Sequence, residues 1–187
     1  MTLTEILPTL RRSIPLHCDA RFWPEHTVPT VTDVIVGGVY LTRLVEITGT
    51  PAVLSGDLPH STSAVARTPG AGSDVTVLVF RITLRIDDET GKHIALTDCG
   101  LEHIRPWWNE CRLIGRASTA QNTVIELIPG DAGAAPWPHP LVSLPGDLHQ
   151  GDVLAVPCCG TVALKDVRPR PPRASAMSNN LAPVANS

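Results

Sequence analysis

The chain has 187 residues, enough for one domain with a substantial core, and a formal net charge of −3. This charge excludes the strongly basic surface that binding to nucleic acid or an anionic membrane requires. No apolar run approaches the roughly 18 residues of a membrane span, and the stretch MTLTEILPTLRRSIP lacks the apolar core of a signal peptide. Composition therefore predicts a cytoplasmic protein without nucleic-acid or membrane partners.

The first 54 residues predict one or two short helices and a hairpin. Apolar residues at helical spacing between Leu3 and Ile14 predict a first helix. The stretch DVIVGGVYL predicts two short strands around Gly37 and Gly38, and TRLVEITG predicts a helix that ends at Gly49. The stretch PAVL then has the apolar pattern of a buried strand, but this pattern does not continue beyond residue 54. We expect the whole segment 1–54 to pack against the domain that follows.

Residues 55–74, SGDLPHSTSAVARTPGAGSD, are rich in Gly, Pro, Ser, Thr and Ala and lack apolar periodicity. This composition predicts a long surface loop or linker. A loop of such length inside a compact domain is uncommon, and it is usually functional or the remnant of a deletion.

From residue 75 to residue 166 the pattern is that of β-strands. TVLVFRITLRID alternates with period two, which predicts that Leu78, Phe80, Ile82, Leu84 and Ile86 share one face. HIALTD, CRLIGRAS, TVIELI, DVLAVP and GTVAL predict further short strands. We therefore predict an all-β fold, mainly antiparallel, either a barrel or a sandwich. The proline-rich segment 167–187 predicts a flexible tail.

Cysteine and histidine spacing predicts no metal site. The five cysteines include no C-x-x-C pair, and the seven histidines are scattered without ligand spacing. We expect free thiols. The adjacent Cys158 and Cys159 are either small apolar groups at a strand end or a redox pair.

Three phrases, in this order, resemble one family. They are VIVGGVYLTRLVEITGTPAVL (34–54), TDCGLEHIRPWWNECRLIGRAS (97–118) and LHQGDVLAVPCCG (148–160). They are similar to conserved phrases of the pyridoxal-phosphate decarboxylases of the alanine-racemase-like fold, the family of the diaminopimelate and ornithine decarboxylases. In that family a (β/α)₈ barrel of roughly 250 residues separates the first phrase from the β-domain. The resemblance implies a decarboxylase-type β-domain from which this barrel has been excised at the linker.

The resemblance also implies that the decarboxylase chemistry is lost. A pyridoxal-phosphate enzyme needs a lysine for its internal aldimine, and neither Lys92 nor Lys165 matches the family's lysine. The substrate-holding tyrosine of the family corresponds to Asn109, and its cysteine–acid pair has no counterpart. Arg105 is the one substrate contact that is kept. We therefore expect no pyridoxal phosphate and no other cofactor.

Two interpretations of the stretch DCGLEHIRPWWNE (98–110) remain open. In the first, Trp107 and Trp108 are core residues or cover apolar surface that the excised barrel once covered. In the second, the surface that the excised barrel once covered is a pocket for an apolar small molecule. The walls of this pocket would include Trp107, Trp108 and Phe80, together with Trp23 and Trp137. Its polar contacts would include Asn109. Its candidate catalytic residues are Arg105, Glu102 and His103.

The pocket interpretation predicts a cofactor-independent cyclase, such as one that catalyses a cycloaddition, because such catalysis needs mainly a preorganised cavity. Isolated small β-barrels act in this way in actinobacterial natural-product biosynthesis, which is an analogy of fold alone. The rival hypothesis is a non-catalytic pseudoenzyme. It would bind a full-length decarboxylase as a regulatory or partner subunit, or form a homodimer.

Overall fold

The computed structural model describes residues 17–59, 74–89, 91–130 and 138–169. Within these ranges the chain is mainly β-strand, with two α-helices and one 3₁₀ turn. The strands are β1 (Thr27–Pro29), β2 (Val34–Val36), β3 (Val39–Tyr40), β4 (Ala52–Asp57), β5 (Asp74–Asp87), β6 (His93–Thr97), β7 (Arg112–Ile114), β8 (Asn122–Pro129), β9 (Leu141–Pro145) and β10 (Val153–Cys159). The helices are α1 (Leu41–Thr48) and α2 (Leu164–Val167), and the 3₁₀ turn is Trp108–Glu110.

The predicted N-terminal hairpin and helix are confirmed. Strands β1, β2 and β3 form a small antiparallel sheet, and the tight turn between β2 and β3 uses glycine because Gly37 and Gly38 have φ of 56° and 83°. Helix α1 buries Leu41 and Val45 and ends at Gly49, whose φ is 74°.

The larger sheet has seven strands, in the order β7-β10-β5-β6-β8-β9, with β4 paired to β5 outside this path. Neighbouring strands are antiparallel except β6 and β8, which are parallel. The end strands β7 and β9 contact each other, so the sheet closes into a nearly complete barrel. The all-β prediction is confirmed, and of its two alternatives the fold is the barrel.

Strand β5 contributes to two cores, which explains why residues 75–80 are all buried. Leu78, Phe80 and Ile82 belong to the barrel core, whereas Val77 and Val79 pack in a second core together with residues of the N-terminal segment. That second core contains Trp23, Val34, Val36, Leu41, Val45, Ala52, Ile114 and Ala155. The segment 17–54 therefore packs on the outside of the barrel, over the first half of β5.

The alternation predicted for β5 is wrong beyond Ile82. Ile82 pairs with Thr97 and Leu84 pairs with Leu96, so that Thr83 is an extra residue in the strand, a β-bulge. Because a shift of one residue moves every later side chain to the other face, Leu84 no longer shares a face with Phe80. Leu84 and Ile86 are each 42% exposed instead of buried in the barrel core.

The predicted strand GTVAL is also wrong. The backbone N–H of Val162 donates to the hydroxyl of Thr76, over 3.0 Å, instead of entering a strand ladder. Helix α2 follows at Leu164. The strands β1 and β9 were not predicted from the sequence; both are short, with three and five residues.

The predicted linker begins later than expected. Strand β4 continues to Asp57, and its last residues pair with the start of β5, Ser55 with Thr76 and Asp57 with Asp74. The remaining residues of the linker therefore join two neighbouring antiparallel strands.

Several predictions fall outside the described residues: the helix between Leu3 and Ile14, residues 60–73, Trp137 and the tail from residue 170. Among the helices in the described ranges, none combines the length and the apolar character needed to cross a bilayer.

Candidate functional site

The stretch 98–110 crosses from β6 to β7 and is anchored by its backbone and by Asp98. The carboxylate of Asp98 accepts hydrogen bonds from the backbone N–H of Arg81, over 2.8 Å, and from the hydroxyl of Thr50. The N–H of Trp107 donates to the carbonyl of Pro157, and the N–H of Cys159 donates to the carbonyl of Arg105, each over 2.9 Å. These bonds attach the stretch to the end of β10.

The candidate catalytic residues lie at the surface of the described structure. The side chains of Glu102, His103 and Arg105 are exposed, as is that of Asn109. Within the described part of the chain, none of these four side chains takes part in a hydrogen bond or an ion pair. No arrangement of acid, base and polarising donor follows from their positions.

The two adjacent tryptophans have different surroundings. Trp108 is half-buried and packs against the barrel core. The ring of Trp107 lies 5.3 Å from that of Phe22, between ring centroids, at an interplanar angle of 49°. Each ring thus contributes to packing, one toward the barrel and the other toward the N-terminal segment.

The other predicted pocket walls are core residues. Phe80 is fully buried in the barrel core, and Trp23 is fully buried in the second core. Neither is among the residues that line the cavity between β7 and β9. Alternation correctly placed Phe80 on an apolar face, but a position on that face does not distinguish a filled interior from a ligand cavity.

Glu110 is a buried carboxylate that the sequence reasoning did not single out. Its Oε2 accepts hydrogen bonds from the indole N–H of Trp23 and from Arg112 Nη2, each over 2.8 Å. The guanidinium of Arg112 also lies over the Trp23 ring, 5.8 Å from its centroid, and donates to the backbone carbonyl of His17. This cluster joins the N-terminal segment to the stretch 98–110, and the opposite charge of Arg112 compensates the buried carboxylate.

A small cavity lies where the barrel is least closed, between β7 and β9. Its volume is about 90 Å³, and its lining includes Arg112, Arg116, Ser118, Asn122 and Ser143. Ligand sites for small organic molecules commonly measure roughly 300–1,000 Å³. The cavity therefore suits a few water molecules better than a large apolar substrate.

The guanidinium of Arg116, beside this cavity, is hydrogen-bonded to carboxylates of the protein. It donates two hydrogen bonds to Asp152, over 2.8 Å and 2.7 Å, and one to Asp147, over 3.1 Å. The hydrogen bonds that Arg116 donates to Asp152 are the main reason that the pKa of Arg116 is raised above its usual range. For Asp147, burial raises the pKa, but hydrogen bonds from Ser118 and Arg116 outweigh this and lower it. The network holds the β7–β9 region together.

A row of apolar side chains lies on the outside of the barrel. Residues in register on neighbouring strands point to the same side of a sheet. One such row consists of Ile86, Ile94, Glu126 and Leu141, and the next consists of Leu84, Leu96 and Ile128. The alternate residues of the same strands, Ala95, Ile125, Leu127 and Val142, are buried in the barrel core.

We call the outward aliphatic residues of these four strands the outer apolar face: Leu84, Ile86, Ile94, Leu96, Val124, Ile128 and Leu141. Leu141 and Val124 are 66% and 59% exposed. Glu126 is the charged residue within this face, and its Oε2 lies 2.5 Å from Lys92 Nζ. The face thus crosses β5, β6, β8 and β9, and it carries one negative and one positive group that neutralise each other.

The thiols have the properties of packing groups. Burial raises the pKa of Cys111 and of Cys158 to about 12, and the pKa of Cys18 to about 11. Cys158 and Cys159 end strand β10 as free cysteines. Among the residues that the structure describes, no group of three or more His, Cys, Asp or Glu side chains is arranged to hold a metal ion.

No protein-family model matches the chain, and no curated protein matches it.

Proposed function

We propose that the protein is a non-catalytic partner subunit that binds another protein through its outer apolar face. Its larger partner is a full-length pyridoxal-phosphate decarboxylase of the family that its sequence resembles. The observation that carries the proposal is the outer apolar face itself, which is continuous over four strands, with Leu84, Ile86, Val124 and Leu141 exposed and Ile94, Leu96 and Ile128 half-buried.

Exposed aliphatic residues in a continuous patch are characteristic of surfaces that bind another protein, because burial of this area stabilises a complex. Scattered apolar residues need no such explanation. Here the β-bulge at Thr83 turns Leu84 and Ile86 outward, next to apolar residues of three further strands. A partner that covers this face removes their side chains from water.

The resemblance supports the choice of partner. Family members place their β-domain beside a (β/α)₈ barrel, and here the linker at the site of the missing barrel joins two neighbouring antiparallel strands, β4 and β5. A β-domain of this kind can form its closed sheet without the (β/α)₈ barrel.

The cyclase hypothesis has less support. It requires an apolar cavity of substrate size, whereas the interior around Phe80 is packed and the cavity between β7 and β9 is about 90 Å³. Its candidate catalytic residues, Glu102, His103 and Arg105, are exposed, and within the described residues no hydrogen bond or ion pair joins their side chains. It stays a prediction, and turnover of an apolar polyene substrate by the purified chain would establish it.

The test uses the purified chain and a full-length diaminopimelate-type decarboxylase from the same genome. Size-exclusion chromatography and isothermal titration calorimetry should show a complex of defined stoichiometry. Leu84→Glu should weaken binding at least about thirtyfold, as expected when a charge replaces an apolar residue that the partner covers.

Ile47→Glu is the matched control, because Ile47 is a 71% exposed aliphatic residue on helix α1 outside the face. This variant should bind like the unmodified chain. Absence of a complex at tens of micromolar, or equal weakening by the two variants, would contradict the proposal.

A further inference from the structure

We infer that the end of the barrel beside the turn between β5 and β6 binds a small oxyanion, a carboxylate or a phosphate, through the guanidinium of Arg85. We call this region the barrel mouth: Arg85 and Asp87 on β5, His93 on β6 and Thr123 on β8. The inference goes beyond the proposed function, because the barrel mouth lies on the inner side of strands whose outer side carries the outer apolar face.

The side chain of Arg85 points into the barrel. Arg85 is in register with Ala95, and Ala95 is in register with Leu127, and both of these residues are buried in the barrel core. Residues in register share one side of a sheet. The β-bulge at Thr83 places Arg85 there, since it turns the next residue, Leu84, outward. As a result the side chain of this arginine is 10% exposed.

The guanidinium of Arg85 has a buried donor that the protein does not satisfy. Its Nε donates to Oδ1 of Asp87 over 2.8 Å, whereas its Nη1 is buried and has no hydrogen-bond partner. The same Oδ1 lies 2.7 Å from Nδ1 of His93. These two contacts hold Asp87 at the edge of the barrel mouth, where its side chain is 60% exposed. The inner part of the guanidinium therefore lacks an acceptor.

The chemistry of this donor selects the class of ligand. A buried donor without an acceptor is rare, because it has given up its hydrogen bonds to water and gained none. An acceptor that enters from solvent removes this cost. Carboxylate and phosphate oxygens suit a guanidinium best, since hydrogen bonds between opposite charges are roughly twice as strong as neutral ones. Water screens the exposed charge of Asp87, so its repulsion of the ligand is weaker than the attraction at the buried Nη1.

The barrel wall beside Arg85 is incomplete among the described strands. Strand β10 pairs with β5 as far as Arg81, and backbone hydrogen bonds between Ile82 and residues 151–152 end this ladder. Beyond Ile82, β6 is the one described strand that pairs with β5. A ligand can therefore approach Arg85 from the side that β10 leaves uncovered. The mouths of β-barrels are among the usual places for small-molecule sites.

A second polar atom at this end of the barrel also lacks a partner. Thr123 alternates along β8 with Ile125 and Leu127, which belong to the barrel core, so it faces inward as they do. Its Oγ1 is buried and has no hydrogen-bond partner. Because β6 and β8 are parallel and His93 is in register with Ile125, Thr123 lies at the same end of the barrel as Arg85. Two unsatisfied polar groups at one end favour a bound polar ligand there.

Nuclear magnetic resonance of the ¹⁵N-labelled chain tests the inference directly. Acetate, inorganic phosphate and chloride are titrated separately at constant pH and constant ionic strength. The Nε–H resonance of Arg85 and the backbone amides of β5 and β6 should shift saturably with at least one of the two oxyanions, and not with chloride. Saturation by acetate alone assigns a carboxylate ligand, and saturation by phosphate alone assigns a phosphoryl group.

A pair of arginine variants separates this site from general effects of the salts. Arg85→Met keeps an unbranched side chain and removes the guanidinium, so it should raise the dissociation constant of the oxyanion at least about tenfold. Arg43→Met is the matched control. Arg43 also forms an ion pair with one carboxylate, that of Glu46, but it is 68% exposed on helix α1. This variant should bind the oxyanion like the unmodified chain.

The inference is wrong if neither oxyanion shifts the Arg85 resonance saturably, or if chloride shifts it equally. It is also wrong if Arg85→Met binds the oxyanion with unchanged affinity, or if Arg43→Met weakens binding as much as Arg85→Met does. The titration of the Nε–H resonance uses the unmodified chain, so it decides the question even where Arg85→Met does not fold.

Discussion

At the scale of single residues, the stretch 98–110 shows how acidic residues can serve a fold. Asp98 fixes the exit from β6 by accepting from Arg81 N–H, and Glu110 joins the N-terminal segment to the barrel through Trp23 and Arg112. Both carboxylates are used for structure. The sequence alone does not distinguish these two acids from exposed Glu102, because their roles depend on partners that lie up to 91 positions away in the chain.

The bond between Trp23 and Glu110 can be tested by substitution. Trp23→Phe removes the indole donor and leaves the buried carboxylate with fewer hydrogen bonds, which typically costs about 1–3 kcal/mol. We expect the free energy of unfolding to fall by this amount in urea denaturation. Trp107→Phe is the control, because Trp107 is half-buried and contacts the Phe22 ring without a side-chain hydrogen bond. Equal effects of the two substitutions would show that the indole donor does not matter.

At the scale of elements, the difference between prediction and structure is largest in β5. The alternation in TVLVFRITLRID correctly identified a long strand and placed Leu78, Phe80 and Ile82 in the barrel core. It failed at Thr83 because threonine is an ordinary strand residue, and nothing in the local sequence marks it as the site of a bulge. The outer apolar face depends on this bulge, so the face could not be predicted from the sequence pattern.

The short strand β9 was missed for a related reason. LVSLP has five residues, follows a proline-rich stretch and gains its stability from pairing with β8. Short strands are defined by their partners more than by their own residues. Helix α1 was predictable, in contrast, because its buried positions repeat with helical spacing and a glycine ends it.

The loop that connects β4 to β5 should tolerate shortening. Because these strands are antiparallel neighbours, they can be joined by a much shorter loop, and the entropy of loop closure changes only slowly with loop length. Removing several residues from 60–73 should leave the melting temperature nearly unchanged in a calorimetric scan. Deleting Ser55, which pairs with Thr76 within the ladder, should lower it by several degrees. A large loss of stability from the loop deletion would contradict this expectation.

At the scale of the whole molecule, two cores are joined by the same strands. β5 and β10 each contribute residues to the barrel core and to the second core that contains Trp23. A strand cannot leave one core and remain in the other. The N-terminal segment and the barrel should therefore unfold together, although the sequence resemblance treats them as parts once separated by another domain.

The reactivity of the cysteines can test whether the two cores unfold together. Cys158 lies in the barrel core, and Cys18 packs against the second core. Burial raises the pKa of both thiols, to about 12 and about 11, so that little thiolate is present in the folded protein at pH 8 and alkylation should follow unfolding. Short pulses of iodoacetamide over a urea series, read by mass spectrometry, should give one midpoint for both residues.

Cys159, which is partly exposed at the end of β10, is the internal control. It should react at low urea, and thereby show that the reagent is active under native conditions. Reaction of Cys18 at a clearly lower urea concentration than Cys158 would mean that the N-terminal segment detaches while the barrel stays folded. A shared midpoint would mean that β5 and β10 couple the two cores, and that the N-terminal segment and the barrel form a single cooperative unit whose outer apolar face remains intact as long as the chain is folded.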